Sequence, residues 1–177
     1  MRRFSKRSYR AALTYITQES TMLSGTIREN LLFGVRREVE DAELDEVCGE
    51  VGLLDYLRSL PAGYDTQVGE DGSRLSGGQK QKLAAARGML QNSAYFLMDE
   101  GTAAMDARAK DAVWAAVSRL MQGKTTLYVA HDRQTVLKAD YVVVMDRGRV
   151  ADFGPIDRVY ETSPYLRQLV GEGGLKR

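Results

Sequence analysis

The chain has 177 residues, 44% of them hydrophobic, with 25 Lys plus Arg against 24 Asp plus Glu. This is ordinary globular composition for one domain or most of one, and the charge balance gives no reason to expect nucleic acid as a partner. One cysteine, Cys48, excludes a disulfide framework and a multi-cysteine metal site and fits a reducing compartment; no apolar run approaches the roughly 20 residues of a membrane helix, and the basic start (Arg2, Arg3, Lys6, Arg7, Arg10) lacks the apolar core of a signal peptide.

In chain order, residues 11–17 form a short apolar patch, read as a strand that exits at Gln18. Thr26-Ile27-Arg28-Glu29 has the form of a capping box and opens a short helix to about Phe33, closed by Gly34. Asp41 can cap a second helix, in which Leu44, Val47, Cys48 and Val51 follow the i, i+3, i+4, i+7 rule. A third short helix runs from Leu53 to Leu60 and stops at Pro61 and Gly63. Residues 62–74 are rich in Gly and Asp and read as loop.

After Ser76 a helix is expected to about Leu90, and Tyr95 to Met98 is a continuous apolar run, the pattern of a strand buried on both faces. Residues 107–121 carry the clearest helical stripe, including Ala109, Val113, Ala116 and Leu120. Thr125 to Ala130 reads as a second buried strand, Gln134 to Ala139 as a short helix and Tyr141 to Met145 as a third strand. Arg147-Gly148 then turns the chain into Arg149 to Phe153, and the tail after Gly171 is expected to fray. Strands alternating with helices imply an α/β fold with a mostly parallel sheet.

Four places can carry chemistry. Ser76 and Gln79 are spaced as N-cap and N3 of a capping box. Gly77 and Gly78, however, occupy a first turn where each glycine costs up to about 1 kcal/mol relative to Ala. Glycines there let another group approach bare N–H groups, which favour an anion such as phosphate. Asp99-Glu100 follow the first buried run, and ligands of parallel α/β sheets gather at the carboxyl ends of strands. Adjacent carboxylates repel unless a cation or proton is shared. One division of labour has Asp99 holding Mg²⁺ and Glu100 polarising an attacking water; the alternative is Asp99 as cap of a following turn. His131, the single histidine, follows the second buried run, where it is either structural or a hydrogen-bond donor to a ligand. Gln18 in Tyr15-Ile16-Thr17-Gln18-Glu19 has no meaning by itself.

Together these strings resemble the ATPase domain of ABC transporters. Leu75-Ser76-Gly77-Gly78-Gln79, continuing as KQKLAAAR, is similar to the signature helix. Asp99-Glu100 resembles the end of the Walker B strand, whose Tyr95 stands 19 residues after Ser76. Val129-Ala130-His131-Asp132-Arg133 resembles the switch histidine that contacts the γ-phosphate, and Gln18 with Met22 to Asn30 resembles the Q-loop of exporters. Gly69-Glu70-Asp71-Gly72 resembles the exporter X-loop, and residues 100–106 resemble a D-loop that keeps Asp106. Two departures stand out. Gly101 and Ala103 replace the usual Pro and Ser of the D-loop, which puts signalling across a dimer in doubt. No G-x-x-x-x-G-K-[ST] P-loop occurs in the 177 residues, so the chain is expected to be an N-terminally truncated domain.

The resemblance implies an incomplete P-loop NTPase core. Residues 1–18 would end its first part, 19–80 would form the helical subdomain with the signature, and 81–177 the core with Walker B, D-loop and switch histidine. It implies ATP and Mg²⁺ as cofactors. Its partners would be the transmembrane domains of an exporter and a second ABC ATPase domain, at the cytoplasmic side of a membrane. Gln18, Asp99, Glu100 and His131 would serve the chain's own nucleotide, and Ser76 to Gln79 the partner's. Without the P-loop, the isolated polypeptide is expected to be inactive. A non-enzymatic module that lends only its signature is the alternative. A soluble ABC-type ATPase of DNA repair would show coiled-coil heptads, which are absent.

Overall fold

The computed structural model describes residues 5, 6, 8, 12–16, 21–99, 115, 118, 123–171, 174 and 175. The chain divides into two compact units, residues 1–128 and 129–177.

In the first unit, strands β1 (Leu13–Ile16), β2 (Tyr95–Asp99) and β3 (Thr125–Val129, whose last residue opens the second unit) lie in the order β1-β2-β3. β1 and β2 are parallel, with Leu13 opposite Tyr95 and Ile16 opposite Met98. Parallel neighbours need a long crossover, and here it holds four helices: α1 (Ile27–Leu32), α2 (Asp41–Glu50), α3 (Leu54–Ser59) and α4 (Gly77–Gln91). The α/β fold with a parallel sheet is therefore as expected. One core joins α1 through Ile27 and Leu31, α2 through Leu44 and Cys48, α3 through Leu57 and α4 through Leu83, Ala86 and Leu90. Gly88 lets α4 lie close on β1: a Cβ there would stand 3.2 Å from Ile16 Cδ1 and 3.3 Å from Thr14 Cγ2.

The capping box of α1 forms as its sequence predicts. Thr26 Oγ1 accepts the Glu29 N–H at 3.1 Å, and Glu29 Oε2 accepts the Thr26 N–H at 2.7 Å. Asp41 is not a cap. It is the first residue of α2, after an uncapped Glu40, because its carboxylate turns instead to Arg28 at 2.5 Å. That pairing holds the Asp41 carboxyl below its ordinary pKa. The expected loop at 62–74 contains two 3₁₀ turns, Gly63–Asp65 and Glu70–Gly72, and a bridge between Thr26 and Gln67.

The two apolar strands are less enclosed than their composition predicts. In β2, Phe96 and Met98 are buried while Tyr95 is 53% exposed. In β3, Leu127 and Val129 are exposed and Tyr128, on the other face, packs on the core. Both strands thus have an inner and an outer face, as alternation allows, although a continuous apolar run predicts two inner ones. The helix expected over 107–121 lies outside the described residues except for Ala115 and Ser118, both helical.

In the second unit, the Asp132 carboxylate accepts the Thr135 N–H at 2.9 Å and the Thr135 hydroxyl at 2.8 Å, and so opens α5 (Arg133–Val136). The helix begins one residue earlier than predicted. It ends sooner because the N–H groups of Lys138 and Ala139 bond three residues back, to Thr135 and Val136. β4 (Tyr141–Asp146) pairs antiparallel with β5 (Arg149–Pro155). Arg147 and Gly148 have φ of 46° and 75°, the signs that a two-residue hairpin turn requires. Helices α6 (Ile156–Thr162) and α7 (Pro164–Val170) follow, neither anticipated from the sequence. Val136, Val144, Ile156, Val159, Leu166 and Val170 form this unit's core. Gly174, in the tail expected to fray, accepts a hydrogen bond from Arg133 at 3.2 Å.

Candidate functional site

The start of α4 is a complete capping box. Ser76 Oγ accepts the Gln79 N–H at 3.2 Å, and Gln79 Oε1 accepts the Ser76 N–H at 2.7 Å. Gly77 and Gly78 occupy the first two helical positions, whose N–H groups have no acceptor within a helix. Gly77 is exposed, and a Cβ built on Gly78 would meet nothing within 4 Å. The capping reading of this turn is therefore met, and the two glycines add no side chain to it. The side chains of Ser76 and Gln79 cap the helix, and the side-chain position of Gly78 opens onto free space. Because Oγ is the acceptor in the cap, the Ser76 hydroxyl hydrogen stays free to donate.

The loop before this helix packs on it. Asp71 takes a left-handed φ of 48° within the Glu70–Gly72 turn, and its carbonyl accepts Lys80 Nζ at 2.9 Å. Gly72 (φ 69°) has no room for a side chain, since a Cβ would stand 2.8 Å from Met22 Cγ. The string resembling the X-loop is thus pinned between α4 and the segment at Met22.

One arginine of the site went unnoticed in the sequence. Arg87 Nε donates to Asn30 O at 2.8 Å, Nη1 to Thr21 O at 3.2 Å and Nη2 to Asn30 Oδ1 at 3.1 Å. Its guanidinium lies 5.7 Å from the centre of the Phe33 ring, and burial pushes its pKa down. The available signal was a cation inside an apolar stretch, Ala84-Ala85-Ala86-Arg87-Gly88-Met89-Leu90.

Asp99 is the last residue of β2, partly exposed at the carboxyl end of a parallel strand. His131 is exposed two residues beyond β3, in the second unit, directly before the Asp132 cap. Gln18, Glu100 and Asp106 lie outside the described residues. No group of three or more His, Cys, Asp or Glu side chains suited to a metal occurs among the described residues. A single carboxylate still fits Mg²⁺, which takes one or two carboxylates together with substrate phosphates rather than an all-protein cage. No helix among the described residues is long and apolar enough to cross a membrane.

Comparison with known proteins gives these residues a context. The family described as ABC transporter matches residues 1–103. The ABC multidrug transporter MDR2 of Trichophyton interdigitale is 38% identical over 176 residues, covering 99% of this chain and 13% of that protein. The leptomycin B resistance protein pmd1 of Schizosaccharomyces pombe is 34% identical over 177 residues, covering all of this chain and 13% of that protein. The chain therefore spans only a small part of the curated relatives it matches. A solved structure of a bacterial Atm1-family ABC exporter with ATP bound superposes with a TM-score of 0.85 at 32% identity, over 93% of this chain and 29% of that one. On the family match and the shared fold, the chain belongs to the ABC transporter family.

Proposed function

We propose that this chain is part of the ATP-hydrolysing domain that powers an ABC exporter. The observation that carries the proposal is the first turn of α4, where glycine N–H groups open a helix and the space beside Gly78 is empty. Among the described residues nothing fills that space. A phosphate group brought by another domain can, because a helix N-terminus attracts anions.

In a dimer of such domains, Ser76, Gly77, Gly78 and Gln79 contact the triphosphate held by the partner domain. Asp99 holds Mg²⁺, directly or through water, and Glu100 orients and polarises the attacking water. Gln18 reaches the same ion and water. His131 donates a hydrogen bond to the γ-phosphate, and Asp106 acts across the dimer. Mg²⁺, when bound, neutralises charge that develops on the phosphate oxygens. Transmembrane domains and a second ATPase domain are the partners, and the chain works at the cytoplasmic face of the membrane. The names of the relatives, multidrug transporters and an exporter, support export over import. The 177 residues contain no P-loop lysine to cradle the β- and γ-phosphates, so a polypeptide of these residues alone is expected to leave ATP intact.

Inside-out membrane vesicles containing the parent transporter test this reading. They should release phosphate from ATP only when Mg²⁺ is present and accumulate substrate in step with it. Uptake that proceeds equally with a non-hydrolysable ATP analogue would refute it.

A further inference from the structure

Arg87 stands 11 positions after Ser76 on the same helix, about 16 Å along the axis at 1.5 Å per residue. Its acceptors all belong to one stretch. Thr21 O and Asn30 O are the two ends of that stretch, and Asn30 Oδ1 lies beside the second. The stretch is folded on itself by fully buried Asn30, whose Nδ2 donates to Leu23 O and Thr26 O at 2.9 Å each and whose Oδ1 accepts the Leu23 N–H at 2.9 Å. Arg87 Nη2 also lies 3.7 Å from Met22 Sδ. Among the described residues no carboxylate pairs with this cation. Arg87 is half-buried, and partial desolvation of a cation with no such counter-ion is costly. Holding only backbone and amide oxygens, it acts through the direction of its bonds, and the planar fork of a guanidinium fixes several acceptors at once where an ammonium cannot.

We propose that Arg87 is a positioning residue for ATP hydrolysis: it clamps the Thr21–Asn30 stretch of the Q-loop string onto the helix that begins with Ser76-Gly77-Gly78-Gln79. Bonds of 2.8–3.2 Å are lost when the partners part by about an ångström. The stretch and the helix therefore move together, and displacement of one is passed to the other. The inference rests on the function proposed above. It adds a specific mechanical link, about three turns along the helix from the phosphate contact.

The test is Arg87→Lys in the intact parent transporter, with ATPase kinetics and amide hydrogen exchange measured on the same preparation. The lysine keeps the charge and loses the fork. The expected result is a fall in kcat of about fivefold or more with KM for ATP within about twofold, and faster exchange in residues 21–33 but not in 80–90. Phe33→Leu removes the ring from over the guanidinium at an exposed position and should give the same pattern at about twofold in kcat. Unchanged kcat with faster exchange in 21–33 would overturn the proposal, as would faster exchange throughout the domain, which marks a merely structural role. If Arg87→Lys fails to fold, unchanged kcat in Phe33→Leu overturns it. A wild-type transporter that hydrolyses no ATP would instead defeat the underlying function, so the two failures are distinguishable.

Discussion

Replacing Gly78 by alanine separates what α4 needs in order to fold from what its first turn needs in order to act. Gly78 is the second residue of the helix, and among the described residues a Cβ there meets nothing within 4 Å outside its own turn. Packing therefore predicts no penalty. Glycine is less favourable than alanine in a helix by about 0.8–1.0 kcal/mol in the interior. At this terminal position the gain from Gly78→Ala should be a fraction of that, about 0.3–0.6 kcal/mol. For a domain of this size that corresponds to a rise in Tm of about 1–2 °C. Hydrolysis should change in the opposite direction. The methyl group stands where a phosphate must approach the N–H groups, and loss of one such contact, worth about 2–4 kcal/mol in the transition state, lowers kcat by about 30-fold or more. Thermal unfolding and phosphate release on the same purified transporter read both numbers. Full activity in a stabilised variant would refute the argument that the empty space receives a ligand. A fall in Tm of several degrees would refute the packing argument.

Ser76→Asp should keep the cap, because Asp also accepts the Gln79 N–H, yet abolish ATPase activity by setting a negative charge against the phosphate; unfolding and phosphate-release assays check the two parts. Asn30→Ala removes a fully buried amide and leaves the Leu23 N–H and the Leu23 and Thr26 carbonyls without it, and should destabilise the domain by about 2–4 kcal/mol in urea titration. Burial pushes the Cys48 thiol up from 9.0 to about 11. A raised folded-state pKa gives stability that is complete below the unfolded value and lost as pH rises through the folded one. The Cys48 contribution should thus fade between about pH 9 and 11, and Cys48→Ala should flatten the stability curve in that window by up to roughly 2–3 kcal/mol.

What could be read from the sequence was chiefly what is local. The boxes Thr26 to Glu29 and Ser76 to Gln79 announce helix starts because both partners of each hydrogen-bond pair lie within four residues, and both form. The glycines at 77 and 78 were legible as a departure from helix propensity, and the open space beside Gly78 supplies a reason for it. Asp41 misled because a side chain able to cap is equally able to pair, and Arg28, distant in sequence, competes for it. Helices α6 and α7 are short, but Ser163-Pro164 was a usable start signal: Ser163 Oγ accepts the Leu166 N–H at 3.3 Å and Pro164 fills the first helical position. The exposure of Tyr95, Leu127 and Val129 was not legible, since apolar composition does not say which elements cover a strand. Arg87 was hidden for the same reason. Its acceptors are 57 and 66 residues away in the chain, and only the fold brings them to it.

The measurement that bears most directly on the central claim is Glu100→Gln in the parent transporter, comparing ATP binding with ATP hydrolysis. The substitution keeps size and removes the charge that polarises water. The account predicts that nucleotide still binds with Mg²⁺ at close to wild-type affinity while phosphate release falls by about 100-fold or more, in line with the loss of a general base. Wild-type rates of phosphate release by the variant would contradict it.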